Sequence, residues 1–125
     1  MKATILFGMT GSGKTFILNR DYANKDYNII SFDKSWSNKE MLYKHIEKNE
    51  NVIIDNEGLN VEQLYKCIRD LQSEGYFVEL IYIKSKLKEI KQRATDNIIY
   101  EQYETLDVSI EILSNVANEF KIKNN

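Results

Sequence analysis

A chain of 125 residues with 42% apolar and 29% charged side chains has room for one modest core and the composition of an ordinary globular protein. Its net charge of −2 excludes a general electrostatic pull toward nucleic acid, so any such contact needs a local basic patch. A single cysteine, Cys67, excludes an internal disulfide and suits a reducing cytoplasm, and the apolar stretch at the start is too short for a signal peptide or a membrane span.

No repeat or composition break divides the chain, so residues 1–125 are expected to form one domain. Thr4-Ile5-Leu6-Phe7 reads as a first strand ending at Gly8, with a helix from Lys14 to about Tyr22. The run 28–32 reads as a second strand ending at Asp33, and Ser37-x-x-Glu40 then has the spacing of a capping box before Leu42 and Ile46. A third strand, Val52-Ile53-Ile54, ends at Asp55, and Asn60-x-x-Gln63 opens a helix whose Val61, Leu64, Ile68 and Leu71 share one face. Gly75 stops that helix before the longest strand, Phe77 to Ile83. A helix with Leu87, Ile90 and Ala94 on one face follows, and Leu113, Val116 and Phe120 predict a last helix over about 107–120. The order βαβαβαβα, closed by a helix and with no clear fifth strand, predicts an α/β three-layer sandwich around a mainly four-stranded parallel sheet. In such sheets ligands bind beyond the carboxyl ends of the strands, where Gly8, Asp33 and Asp55 converge.

The stretch Gly8-Met9-Thr10-Gly11-Ser12-Gly13-Lys14-Thr15 reads Gly-x-x-x-x-Gly-Lys-Thr. Its glycines let the backbone turn tightly and aim N–H groups inward, Lys14 supplies a charge for the β- and γ-phosphates, and the Thr15 hydroxyl suits Mg²⁺. The helix after it adds its positive end. Average residue usage yields the pattern by chance in roughly 0.5% of chains this long, and here it also sits between a strand and a helix, as the chemistry requires. The pattern is the Walker A signature, and the chain looks like a P-loop NTPase or kinase that binds a nucleotide.

Two fates remain for the γ-phosphate. A hydrolase usually places a carboxylate directly after the metal-organising aspartate, to position water; here Asn56 follows Asp55, and Glu57 comes one position later. A kinase needs a carboxylate near an acceptor hydroxyl, and Asp33, predicted to neighbour the glycine-rich loop, is the candidate; a turn or capping role before Ser35 is the plainer alternative.

The stretch VIIDNEGLNVEQLYKCIRDLQSEGYFVELIYI, followed by KEIKQR, resembles the polynucleotide-kinase and zeta-toxin-like group of small P-loop kinases. The resemblance covers residues 1 to about 97. It implies that Gly8 to Thr15 hold ATP, that Thr15 and Asp55 organise Mg²⁺, that Asp33 acts as general base, and that Arg93 is a lid arginine facing the transferring phosphoryl group. Catalytic roles thus fall on Lys14, Asp33 and Arg93. The implied activity is transfer of the γ-phosphoryl group to a hydroxyl of a nucleic-acid 5′ end, a nucleoside or nucleotide, or a sugar-nucleotide. The sequence departs from that group at Asn97, where a second arginine is frequent, and at Lys34-Ser35-Trp36, where an arginine commonly follows the base. Those departures leave an alternative open: an ATP- or GTP-binding regulatory or assembly module with little turnover. Oligomeric state is not readable.

Smaller signals have plain readings beside functional ones. Lys84, Lys86, Lys88, Lys91 and Arg93 form a basic cluster, with Lys84, Lys88 and Lys91 placed on one helical flank; it suits a solvated helix surface, or a lid or polyanion groove. Phe32, Trp36 and Tyr27 surround Asp33 and suit either core packing or stacking on an acceptor. His45 has no metal-ligating companion and is expected to be half-buried, Cys67 to be a buried inert thiol, and Arg20 to complement the end of the first helix.

Overall fold

The computed structural model describes residues 1–8, 14–22, 27–32, 39–56, 61–84 and 110–124. In chain order the elements are β1 (Lys2–Gly8), α1 (Lys14–Tyr22), β2 (Asn28–Phe32), α2 (Lys39–Glu47), β3 (Val52–Asn56), α3 (Val61–Ser73), β4 (Phe77–Lys84) and β5 (Glu119–Asn124), with helical residues at 110–116 before β5. The five strands form one sheet in the order β2-β3-β1-β4-β5, every pair parallel.

Position in the sheet explains the composition of each strand. β1 lies at the centre, covered on both faces, and Ala3 to Gly8 are all buried. A strand enclosed on both sides reads as a continuous apolar run, as Ile5-Leu6-Phe7 does. β2 lies at one edge and alternates instead, with Ile29 and Ser31 exposed and Ile30 and Phe32 buried. One face of the sheet packs Ala3, Ile5, Phe7, Ile54 and Leu80 against Leu42 and Ile46 of α2 and Leu64, Cys67, Ile68 and Leu71 of α3. The other packs Leu6, Ile53, Ile81 and Ile83 against Ile17, Leu18 and Tyr22 of α1. Each fully buried Ile, Leu or Phe contributes roughly 1.5–3 kcal/mol.

Both α2 and α3 end in the same way. The Asn49 N–H donates to the Ile46 carbonyl (3.0 Å) and the Glu50 N–H to His45 (3.1 Å). Likewise Gly75 donates to Gln72 (3.0 Å) and Tyr76 to Leu71 (3.0 Å). This pair of bonds closes a helix through one left-handed residue: Asn49 at φ 55° in the first case, Gly75 at φ 86° in the second. The predicted stop at Gly75 therefore has a mechanism. The Tyr76 hydroxyl then donates to the Glu50 carbonyl (2.7 Å), joining the two turns.

Two expectations are corrected. The sheet has five strands, and the last helix does not reach Phe120. Val116 and Phe120 are four apart, which suggested a helix, but Glu119-Phe120-Lys121-Ile122-Lys123 alternates with period two and pairs in parallel with β4. Asn118 enforces the change: its N–H donates to the Val78 carbonyl (3.0 Å), and its Oδ1 accepts from Val78 N–H (2.9 Å) and Gln72 Nε2 (3.2 Å). Lys84, placed with a helical basic cluster above, is the last residue of β4; Lys86, Lys88, Lys91, Arg93 and Asn97 lie outside the described residues. No helix among the described residues is long and apolar enough to cross a membrane.

Candidate functional site at the carboxyl edge of the sheet

The site follows from which way each crossover turns. From β1 the chain passes through α1 on one face to reach β2, two places to one side. From β3 it passes through α3 on the opposite face to reach β4, two places to the other side. Right-handed crossovers in opposite directions put their helices on opposite faces. The neighbouring strands β1 and β3 therefore send their chains to opposite faces, the arrangement at which open α/β sheets form a ligand crevice beyond the carboxyl ends of the strands.

Gly8 stands at one lip of that crevice, buried at the end of the central strand. Residues 9–13 join it to α1, whose first two residues are Lys14 and Thr15. The nine-residue helix directs its N-terminal N–H groups and positive dipole end to the same edge. Asp55 stands at the other lip. It pairs in register with Leu6 of β1 and Ser31 of β2, and is 8% exposed. Side chains alternate along a strand, so Asp55 shares the face of Ile53, which packs with α1. Its carboxylate thus lies on the face that carries the start of α1. Asn56 points to the opposite face and is fully buried.

The geometry separates the expected site residues. Gly8, the start of α1 at Lys14 and Thr15, and Asp55 meet at one crevice. Met9, Thr10, Gly11, Ser12 and Gly13 lie outside the described residues, as do Asp33, Glu57 and Arg93. β2, the strand that precedes Asp33 in sequence, neighbours β3 and not β1.

A Mg²⁺ ion at this crevice would take few protein ligands, since Mg²⁺ keeps waters and phosphate oxygens and uses one or two carboxylates. The buried carboxylate of Asp55 on the α1 face and the place of Thr15 in the first turn of α1 fit that donor set. Among the described residues no group of three or more His, Cys, Asp or Glu side chains could hold a metal by itself.

Several side chains considered above have structural explanations. Phe32 is fully buried in the core, and Tyr27 packs edge-on to Tyr22 with ring centroids 6.5 Å apart; Trp36 lies outside the described residues. Arg20 pairs with Asp21 (2.8 Å) and lies over the Phe16 ring (5.6 Å). The hydrogen bond from Arg20, then that from Lys123, holds the Asp21 carboxyl well below the usual carboxylate range. Lys123 Nζ also lies 3.3 Å from the Tyr22 hydroxyl, tying β5 to the end of α1. His45 is half-buried, 3.5 Å from Glu50. Cys67 is buried, and desolvation, with the nearby Asp70 charge, pushes its thiol up to about 12, so it is inert.

One cluster escaped the sequence reading. Glu79, 3% exposed within the apolar run of β4, receives Lys121 Nζ at 2.9 Å and Lys2 Nζ at 3.3 Å, with the Thr4 hydroxyl at 3.5 Å. Burial opposes its charge, but hydrogen bonds from Lys121 and Lys2 outweigh burial and lower its pKa. The signal was a carboxylate in the middle of Phe77–Ile83. The cluster sits at the amino half of the sheet, four residues before the Gly8–Ile83 pair, so it supports β5 rather than the crevice.

Comparison with known proteins finds no matching family model and no matching curated protein. Solved structures do match. A structure from the PezAT chromosomal toxin-antitoxin system of Streptococcus pneumoniae aligns with a TM-score of 0.67 at 17% identity, covering 99% of this chain and 68% of its own. YorR from Bacillus subtilis, in complex with phosphorylated GDP, gives 0.63 at 20% identity, covering 98% and 85%. A de novo designed P-loop fold protein gives 0.57 at 16% identity, covering 99% and 81%. At these identities the likeness is one of architecture: the parallel α/β sheet has the P-loop NTPase-like fold of these structures.

Proposed function

We propose that this protein is an ATP-dependent kinase that moves the γ-phosphoryl group to a hydroxyl of a nucleic-acid 5′ end, a nucleoside or nucleotide, or a sugar-nucleotide. The observation that supports the reading is that Gly8 at the end of β1, the start of α1 and buried Asp55 on β3 stand at one carboxyl edge of the sheet. The likeness in fold to YorR, whose complex holds phosphorylated GDP, supports a nucleotide there.

In this reading Gly8, Met9, Thr10, Gly11, Ser12 and Gly13 wrap the phosphates with backbone N–H groups, and Lys14 neutralises charge on the β- and γ-phosphates. Thr15 and Asp55 hold Mg²⁺, which when bound neutralises charge spreading over the transferring group. Asp33 accepts the proton of the acceptor hydroxyl as its oxygen bonds to the γ-phosphorus and the bond to the leaving ADP breaks. Arg93 faces the phosphoryl oxygens from above. Asn56 after Asp55 leaves no adjacent carboxylate to position water, which favours transfer over hydrolysis. The rate comes chiefly from positioning and charge stabilisation.

The test is transfer from γ-labelled ATP to a panel of hydroxyl acceptors. Transfer is expected in the native protein, abolished in Lys14→Ala, and lowered by about 10²–10⁴-fold in Asp33→Ala if Asp33 is the base. Tight nucleotide binding with neither transfer nor hydrolysis would replace the kinase by a regulatory or assembly module.

A further inference from the structure

Two helices side by side on a sheet normally close the gap between them, because interiors pack to near crystal density and keep few voids larger than a water. Between α2 and α3 they do not. A cleft of about 90 Å³ remains, on a scale where one water takes roughly 10–15 Å³. That is room for a small molecule, several waters in volume.

Its chemistry is divided. The floor is apolar, made by Leu42 and Cys67 over the fully buried Phe32 and Leu71. Lys39 at the start of α2 and Lys66 on α3 stand at its rim, both exposed. Asp70 stands one helical turn beyond Lys66, and its charge acts on both the Tyr43 phenol and the Cys67 thiol, so its carboxylate faces the same space. Lys66 and Asp70 are four apart on one helix, the spacing at which opposite charges commonly pair. Among the described residues, however, neither they nor Lys39 form an ion pair. The charged groups of the cleft, Lys39, Lys66 and Asp70, did not stand out in the sequence.

We propose that the α2–α3 cleft is a binding site for a small heteroaromatic anion, a flat ring with N–H donors on one edge and a phosphate or carboxylate attached, separate from the phosphate cradle. The ring lies on the apolar floor, with Tyr43 beside it. Its N–H edge donates to the Asp70 carboxylate, and the anionic group meets Lys39 and Lys66. A purine monophosphate with a guanine-type donor edge has this pattern. The cleft is on the sheet face covered by α2 and α3, whereas α1 and the Asp55 carboxylate lie on the other. The site therefore stands whether or not the protein transfers phosphate.

The experiment is an NMR titration of the ¹⁵N-labelled full chain with guanosine 5′-monophosphate, and with guanosine as the probe lacking the anion. The expected result is movement of the Leu42, Tyr43, Cys67 and Asp70 amides, with guanosine about tenfold weaker. Reversing two exposed charges in Lys39→Glu/Lys66→Glu is expected to weaken the monophosphate by about tenfold or more, since two attractions at the rim become repulsions. Asp70→Asn is expected to weaken both probes. These are surface changes, and an unchanged amide spectrum without ligand confirms the fold. Lys14→Ala is expected to leave the binding intact while removing phosphotransfer, which keeps the two readings apart. Amide shifts confined to residues 8–15, loss of binding in Lys14→Ala, or equal affinity in the doubly reversed variant would each overturn the proposal.

Discussion

The two faces of the sheet are built on different principles. The face under α2 and α3 is held by shape and apolar area: eighteen buried residues form one cluster there, all apolar in kind. The α1 face has a smaller cluster of seven, and by strand alternation it carries Thr4, Asp55 and Glu79, three of the four buried polar residues among those described. Each has a position that needs it: Asp55 at the crevice, Glu79 between Lys2 and Lys121, Thr4 beside Glu79. The difference teaches that one sheet can divide its duties, with stability concentrated on one side and charge on the other.

The comparison is broken most severely by truncating the apolar face. Ile54→Ala removes a fully buried side chain and is expected to cost about 2–5 kcal/mol, since the surrounding strands cannot collapse into the space. Chemical denaturation with an unchanged m-value would show it. The charged face should behave otherwise. Glu79→Ala removes the partner of two lysines that are themselves 37% and 47% exposed. Water can solvate both ammonium groups, so the loss is expected to be about 1–3 kcal/mol, below the 3–5 seen when a fully buried charge is stranded. Glu79→Leu replaces charge by apolar volume and is expected within about 1 kcal/mol of the native protein. A Glu79→Leu loss as large as that of Ile54→Ala would erase the contrast between the faces.

Legibility in the sequence divides along similar lines. The apolar face was readable because periodicity reports area: Leu64, Ile68 and Leu71 at helical spacing, and Ile and Val runs in the strands, gave β1 to β4 and α1 to α3 nearly to the residue. The crevice was half readable. Gly8 to Thr15 is a local motif, and Asp55 follows an apolar strand run, so both stand out in the sequence. Strand order is not local, however, and nothing in the sequence says that β3 lies between β1 and β2. β5 was missed because six residues of alternating Lys and apolar side chains are a weak signal beside Leu113, Val116 and Phe120. The pairing of Glu79 with Lys121 spans forty-two residues, and such contacts exist only once the sheet is assembled.

The two helix ends sharpen the comparison at smaller cost. Gly75 and Asn49 hold equivalent places in equivalent turns, both at positive φ. A Cβ at Gly75 would lie 3.7 Å from the Met1 side chain, an ordinary contact, so space is not the obstacle. Conformation is, and Gly75→Ala is expected to destabilise by about 1–2 kcal/mol. Asn49→Gly runs in the opposite direction and is expected to be neutral or to stabilise by up to about 1 kcal/mol, because glycine enters the left-handed region without the Cβ penalty. Equal losses in the two variants would show that Asn49 is kept for a contact and not for its backbone.

The smallest effect concerns pH, and it singles out the charged face. The Glu79 carboxyl has its pKa lowered from the ordinary 4.5 in the folded protein. An acid whose pKa is lower when folded adds stability that is complete above its unfolded value. That contribution is lost as pH falls from about 4.5 through the folded value, because the unfolded chain takes up the proton first. Asp21 shifts the same way, through Arg20 and Lys123, so the native protein alone cannot isolate Glu79. The difference between native and Glu79→Leu can. Measured by denaturation from pH 7 to pH 3, that difference should stay flat down to about 5 and then move in favour of the leucine variant. A difference that stays flat throughout would mean that the two lysines do not hold the carboxylate in its charged form, and that β5 is held by its backbone ladder, by Asn118 and by the contact of Lys123 with α1 instead.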